Sequence, residues 1–514
     1  MKRLTAHKLS VYDVVAGISV AMVLIPQALA YAQLAGMPAY VGLFAAILPP
    51  IIAAFFASSP YLQTGPVAMT AILTFGVLAG SGATTGSAEY MKLAAFLAVM
   101  VGVIRVGLGL TGGGFIAYLM SQPVVAGFSA ASAILISASQ LPKVLGVTAG
   151  SGGLLVEAGR ALTATWDWRA VALSVTTIIL ILAGRKLHSL FPGILVAMVV
   201  GIVYSAMSGY DGAIVGTVPT GLPPLSLDLP WSSFGALVIP ALVIAIVGFA
   251  EPTAISRTFA TMDRQAWSPD RELISQGVAN LAAGLSSAFP VGGSFARSSL
   301  ARLAGARTRA TGAIAGLGVL IFLPFAAVLE PLPSAVLGAI VIVSVFKLID
   351  IPALLDIWKH SPLQGVVAAT TFALTLALAP RIDRAVIIGT LLGIAVHLWR
   401  EMRLDVASWT AGTVVHLSPR GVLYFGSAPG LGDHLNQELA AHPDATSVVI
   451  ELQGLGRIDY TGAVALKQAV KEAIEADLTV ELSGIPEHAR RILSRVWEAG
   501  IPETDTRERT NGSQ

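Results

Sequence analysis

From Ser286 to Arg309 the chain reads SSAFPVGGSFARSSLARLAGARTR, inside an otherwise apolar region. Pro290, Gly292 and Gly293 come just before Ser294, Phe295, Ala296, Arg297, Ser298 and Ser299. A helix crossing hydrocarbon loses backbone hydrogen bonds at a Pro-x-Gly-Gly break, and protein, ligand or water must replace them. Where a helix restarts beyond the break, its unpaired N–H groups and positive dipole end face inward. Serine hydroxyls and the full charge of Arg297 complete the chemistry of an anion site buried in a membrane. The competing reading is an arginine that ends a span and snorkels to the surface.

A second group lies nearby in sequence. Glu251 stands in LVIAIVGFAEPTAIS, deep in an apolar run and next to Pro252. An ionisable group there is costly and marks function by default. It would carry a coupling proton, or neutralise Arg297 when no substrate is bound. The first half of the chain has a counterpart: Pro26 adjoins Gln27, and 39 residues later Gly65 and Pro66 open the short segment TGPVAMTAIL. In the second half Pro252 adjoins Glu251, and Gly292 and Gly293 follow 40 and 41 residues on. Short, Gly/Pro-broken segments at matching positions of two halves point to a transporter binding site. Two half-helix N-termini would face each other near the midplane, both favouring an anion. Gln27 either donates to that anion or caps the backbone freed by Pro26.

These residues need membrane helices to hold them. The 514-residue chain is 55% hydrophobic and 12% charged, with mean hydropathy +0.76. Soluble proteins carry about 25% charged residues. Fourteen apolar segments can be placed, from 14–35 to 385–399, with the third at 67–80, the eighth at 234–256 and the tenth at 294–304. They suggest an inverted repeat of seven plus seven, covering about 13–208 and 234–403. The apolar run after the basic start has no small-residue cleavage site, so a retained first span is expected rather than a signal peptide. There is no cysteine, which excludes disulfides, thiolate metal sites and a cysteine nucleophile. With no nucleophile–base pair and no metal-ligand spacing, an enzyme is not expected, nor a cofactor or a nucleic-acid partner. Arg105 and Glu330 read as interfacial or structural.

Charge divides the chain. From Leu404 onward there are nine Lys/Arg and fifteen Asp/Glu, which leaves 23 basic and 15 acidic residues before it. A basic membrane part, 1–403, and an acidic, more polar part, 404–514, follow. With the N-terminus and its Lys2, Arg3 and Lys8 placed in the cytoplasm, most cations fall on cytoplasmic connections, as the positive-inside rule asks. Lys92, Lys143, Arg160, Arg169, Arg381 and Arg384 are exceptions. The acidic part alternates strand and helix patterns, as a small cytosolic α/β domain does.

Three stretches resemble a known family. AGISVAMVLIPQALAYAQLAGMPAYVGLFAAILPPIIAAFFASSPYLQTGPVAM and RELISQGVANLAAGLSSAFPVGGSFARSSLA are similar to the sulfate permease (SulP) anion transporters, and VVIELQGLGRIDYTGAVALKQAV resembles a STAS domain. The resemblance implies a core that moves against a gate, with the anion between segments three and ten. Its motifs fall on Gln27, Tyr31, Val67, Ser294, Phe295, Ala296, Arg297 and Ser298, and the breaks at Gly65, Pro66 and Gly293 complete the expected site. Ala296 stands where some relatives have a serine, which shifts coordination towards backbone N–H groups. Ile255 stands where sodium-coupled relatives place a hydroxyl, which favours protons as the coupling ion. Homodimers are common in the family. In the STAS turn Tyr460 replaces the serine that anti-sigma antagonists phosphorylate, so Asp459 and Thr461 read first as turn and N-cap residues.

The expected function is secondary active transport of a small anion across the cytoplasmic membrane, as proton symport of a fumarate-like dicarboxylate. Sulfate, bicarbonate or chloride transport, anion exchange and a passive channel are alternatives within the family. A nucleobase transporter shares the seven-plus-seven plan, but Arg297 and the STAS region argue against it. From another class, a membrane-tethered protein that signals through a STAS-binding partner is the rival.

Overall fold

The computed structural model describes residues 10–502 apart from 119, 149, 151, 189, 498 and 499. Lys2, Arg3 and Lys8 lie outside the described residues. The chain forms two compact units, Met1–Gly393 and Ile394–Gln514.

The first unit is helical. Its first half contains α1 (Val11–Leu34), α2 (Val41–Ala45), α3 (Leu48–Phe56), strand β1 (Thr64–Gly65), α4 (Ala68–Leu78) and α5 (Ala88–Leu110). There follow α6 (Gln122–Leu145), α7 (Leu154–Thr163), α8 (Trp168–Leu187) and α9 (Gly193–Ser208). The second half contains α10 (Phe234–Met262), α11 (Pro269–Leu285), strand β2 (Gly292–Gly293), α12 (Phe295–Leu303) and α13 (Ala310–Phe322). It closes with α14 (Ser334–Val345), α15 (Ile351–His360), α16 (Pro362–Ala377) and α17 (Ile382–Glu401), which runs across the unit boundary. Among the described residues eight helical stretches are long and apolar enough to cross a membrane, and four shorter ones are also apolar.

Local chemistry sets these boundaries. Ser10, Ser87, Asp167, Ser268 and Ser294 each accept a backbone N–H at a helix start, as N-caps do. The expected second span divides into α2 and α3, with Pro49 and Pro50 in the first turn of the new helix. Helices α7 and α15 were not expected. Glu157 and Arg160 in α7, and Asp356 and Lys359 in α15, break up any spanning apolar run.

The helices pack as two groups. One holds α1 to α5 with α10 to α13, and the other holds α6 to α9 with α14 to α16. They meet where α1 packs on α9 and α14, and α4 on α6. Within the first group α5 and α11 share a glycine seam. A Cβ on Gly102 would lie 2.7 Å from the Leu281 amide nitrogen, and one on Gly277 would lie 2.7 Å from that of Val106. Only glycine allows backbones this close, the usual device of tight helix pairs in membranes.

The second unit is an α/β domain. Strands β3 (Asp405–Ala411), β4 (Val414–Leu423), β5 (Ser447–Glu451) and β7 (Thr479–Ser483) line up in that order, and β6 (Leu455–Ile458) pairs with β4. The β3–β4 pair is antiparallel and the others are parallel. Helices α18 (Ala428–Ala441), α19 (Tyr460–Glu475) and α20 (Glu487–Val496) join the strands around Leu417, Leu423, Ile450, Leu466, Leu482 and Leu493. Sequence patterning predicts the three helices and strands β5 and β7; it misses β3 and β6, whose LGRI is too short to show a period, and the strand pair expected in VVHLSPRGVLYFG is the single strand β4, paired instead with β3. The last helix was expected to run to residue 499, and residues 498 and 499 lie outside the described ones. Asp459 caps α19, its Oδ1 accepting the Gly462 N–H at 2.7 Å, while Tyr460 and Thr461 are exposed.

Candidate anion site

Strands β1 and β2 form a two-residue antiparallel ladder, with Thr64 opposite Gly293 and Gly65 opposite Gly292. The Ser294 N–H donates to the Gln63 carbonyl at 3.0 Å, and the Gln63 N–H donates to Ser298 Oγ at 2.9 Å. Helices α4 and α12 therefore start on the two sides of one ladder, and their N-terminal N–H groups converge there. Gly65 has φ +152°, outside the range of ordinary side-chain-bearing residues, and a Cβ on it would stand 3.5 Å from Arg297 Nη2.

Polar side chains hold the ladder from α5 and α11. Asn280 grips both backbone groups of Val291: Nδ2 donates to its carbonyl and Oδ1 accepts its N–H, each at 3.0 Å. Gln276 Nε2 donates to Thr64 Oγ1 at 2.7 Å. Arg105 donates to the carbonyls of Ala245 (3.0 Å), Ile244 (3.1 Å) and Val291 (3.3 Å). It is fully buried, so of the two placements expected for it, interfacial or structural, the interfacial one falls away. Burial costs a polar group little only when it is hydrogen-bonded, and here all three side chains are. Gln276 and Asn280 were missed in the sequence, although their spacing of four puts both on one face of an apolar helix.

Arg297 is fully buried. Its Nη1 donates to Gln27 Oε1 at 3.2 Å, while Nε and Nη2 have no hydrogen-bond partner among the described residues. Burial removes the snorkelling alternative, because the side chain points into the protein. Gln27 follows Pro26 within α1, and its carbonyl orients the guanidinium. Tyr31, one turn further along, is buried beside Ser344 of α14.

Glu251 comes from α10, immediately before Pro252. Its Oε1 accepts the backbone N–H of Phe295 at 3.4 Å, which sets a carboxylate at the positive end of α12. Among the described residues no ion pair within 4 Å joins Glu251 to Arg297. Any neutralisation of Arg297 by Glu251 therefore acts across a gap wider than an ion pair.

A cavity of about 340 Å³ separates α1 and α12 from α8, α9 and α14. Gln27, Phe295, Ala296 and Ser299 line one wall, Ser344 lies on the other, and Arg185 and Lys347 flank it. Of the expected site residues, Gln27, Phe295 and Ala296 reach the cavity. Tyr31, Gly65, Pro66, Val67, Gly293, Ser294, Arg297 and Ser298 are buried behind its surface. Val67 is the N-cap residue of α4 in extended conformation. Ser294 is spent capping α12 and Ser298 holding Gln63, so the hydroxyl on the wall is that of Ser299. A single residue step along the helix decides this, since residues 298 and 299 face directions about 100° apart.

The sulfate permease family model matches residues 11–371, and the STAS domain model matches residues 409–504. The chain belongs to the sulfate permease family. That makes this sulfate permease family member a multi-pass membrane protein with a STAS domain, from a family of transporters and not of enzymes. A probable sulfate transporter of Mycobacterium tuberculosis is 34% identical over 404 residues, which is 76% of this chain and 70% of that protein. Sulfate transporter 4.1, chloroplastic, of Arabidopsis thaliana is 27% identical over 516 residues, 92% of this chain and 74% of its own. Among solved structures, the murine Solute Carrier 26 family member A9 anion transporter in the inward-facing state aligns with TM-score 0.87 at 20% identity, covering 97% of this chain and 90% of that one. The transmembrane domain of a cyanobacterium bicarbonate transporter, BicA, aligns with TM-score 0.63 at 23% identity, covering 74% and 97%. At such identities the likeness is one of fold. The expected fold class, a polytopic helical membrane protein with an α/β STAS domain, is met by this sulfate permease family member.

Proposed function

We propose that this chain is a secondary active transporter that moves a small dianion together with a proton by alternating access. The observation that carries the reading is the β1–β2 ladder, which joins the N-termini of α4 and α12 beside a buried Arg297 with two unpartnered donor atoms. Helix-start N–H groups and a buried guanidinium gathered at one ladder are the donors that an anion site uses.

The residues suggest how coupling works. An anion in the cavity meets Phe295, Ala296 and Ser299 at the start of α12, where the Glu251 carboxylate already accepts a backbone N–H. Two negative charges compete for one dipole end. A proton on Glu251 removes one of them, so substrate and proton bind together. A negative-inside potential opposes entry of each negative charge by ~2.3 kcal/mol per 100 mV, which accompanying protons offset.

The cavity, walled at Ala296 by a methyl group, favours a dicarboxylate of fumarate size. Sulfate is the second reading, supported by the relatives from Mycobacterium tuberculosis and Arabidopsis thaliana. Arg185 and Lys347 beside the cavity belong to the connections that the positive-inside rule assigns to the cytosol. We place both termini and the STAS domain there too, with fourteen crossings in residues 1–403 of a cytoplasmic membrane. A homodimer and a STAS-binding partner complete the proposal.

The test is uptake of labelled fumarate, sulfate and bicarbonate into proteoliposomes under an inward proton gradient. Proton-stimulated uptake of fumarate or sulfate is expected. Absence of flux for every anion with folded protein would overturn the reading in favour of STAS signalling.

A further inference from the structure

The ladder between α4 and α12 carries a second buried cation, and the transport scheme above gives it no part. Arg105 of α5 is fully buried, and its three hydrogen bonds all go to backbone carbonyls. Among the described residues no carboxylate lies within 4 Å of it. One of its carbonyls belongs to Val291, the residue before the ladder glycines. Its guanidinium also lies against Gly248, three residues before Glu251, where a Cβ would come within 2.7 Å of Nη2.

Carbonyls satisfy the donors of a guanidinium but do not cancel its charge. Holding Val291 does not require a cation either, since the neutral amide of Asn280 donates to the same carbonyl. An uncompensated charge in a membrane protein is expensive, and it is kept where its field is used. Among the described residues Arg297 likewise has no acidic partner within 4 Å. The ladder therefore has a guanidinium on either flank. Of the carboxylates near it, Glu251 accepts an N–H at the start of α12, while Glu272, one turn before Gln276 on α11, is taken up by the Ser58 and Ser59 N–H groups.

We infer that Arg105 is a specificity residue for valence: its field, added to that of Arg297, makes this site one for divalent rather than monovalent anions. The inference rests on the reading that the anion binds at the α4–α12 ladder, and it deepens that reading by assigning the preference for a dianion to a named residue on a separate observation. Arg105 does not touch the anion. It acts through the potential at the helix starts.

Electrostatics makes a test that packing cannot imitate. At about 10 Å and an effective dielectric of about 20, one unit charge changes the affinity of a monoanion about tenfold. A dianion feels twice the energy, so the factor is squared to about a hundredfold. Loss of packing or folding would instead reduce both affinities by one common factor.

The full chain is reconstituted in proteoliposomes, and half-saturation is measured for pairs of similar shape and different charge. Sulfate is paired with perchlorate, and fumarate with monomethyl fumarate, the monoanions serving as competitors. Wild-type protein is expected to favour the dianion of the transported pair by tenfold or more. Arg105→Gln should weaken the dianion about ten times more than the monoanion, and Arg105→Lys should restore the wild-type ratio. Equal weakening of both anions in Arg105→Gln, or failure of Arg105→Lys to restore the ratio, overturns the inference and leaves the anion site standing. If Arg105→Gln does not give monodisperse protein, Arg105→Met, also neutral and of similar length, is read by the same ratios. A wild-type ratio near one overturns the inference without any variant. Absence of saturable uptake of every anion by wild-type protein removes the underlying site reading, and this inference with it.

Discussion

Glu251 and Phe295 meet through a single hydrogen bond, from the Phe295 backbone N–H to the Glu251 carboxylate at 3.4 Å. The two residues belong to α10 and α12, which the ladder glycines separate in sequence. The acid thus occupies the helix end that an incoming anion needs. Anion binding and ionisation of Glu251 become alternatives at one spot, so the anion enters together with a proton, the simplest physical form of symport.

Replacing Glu251 by Gln keeps an acceptor oxygen for Phe295 and removes the titration. Proton-driven uptake should fall tenfold or more, while exchange of internal for external anion continues. Uptake that still follows the imposed pH gradient in Glu251→Gln vesicles would remove Glu251 from the coupling step.

Arg297 supplies the charge and two free donor atoms. Arg297→Ala should abolish saturable uptake. Arg297→Lys keeps the charge but loses the planar fork that reaches Gln27 and the ladder together, so half-saturation should rise about tenfold or more. Unchanged half-saturation in either variant would contradict the assigned site.

Ser298 and Ser299 are neighbours with opposite duties. Ser298→Ala orphans the buried Gln63 N–H, which costs about 1–3 kcal/mol and should lower the unfolding temperature with little change in half-saturation. Ser299→Ala should leave the unfolding temperature alone and raise half-saturation a few-fold. Thermal unfolding and uptake measured on both proteins decide the matter, and matching effects in the two would refute the division.

Asn280→Leu removes both partners from Val291 at once. The carbonyl keeps Arg105, but the N–H is left buried without an acceptor, at a cost of about 1–3 kcal/mol. Lower thermal stability and weaker binding should appear together, because the ladder that aims the donors is loosened. A stable Asn280→Leu protein with wild-type affinity would mean that the ladder holds itself.

Much of this was legible in the sequence because membranes punish irregularity. Pro26, Gly65, Pro252 and Gly292 stood out against apolar surroundings, and each lies at or beside the ladder or its supports. The burial of Arg297 was anticipated by its setting but not fixed by it. What sequence could not supply was direction. Ser298 and Ser299 have the same chemistry, and only the rotation of α12 says which faces the cavity. The support from Asn280, Gln276 and Arg105 was hidden for another reason: single polar residues in apolar helices have no period of their own. Their partners are backbone groups, which leave no trace in side-chain patterns. Helices α7 and α15 escaped because charge interrupts them, and β6 because four residues are too few.

The pairing of Thr64 with Gly293 has a consequence for how the protein is made. A ribosome delivers the first half of the chain to the membrane long before Gly292 and Gly293 exist. During that interval the β1 edge, including Gly65, has no strand to pair with, and the start of α4 lacks its opposite number. The half-built protein must wait with polar backbone exposed in a place that punishes it. Insertion machinery or bound water has to shelter that edge until the second half arrives, so the most vulnerable moment in the life of this site comes before its first anion.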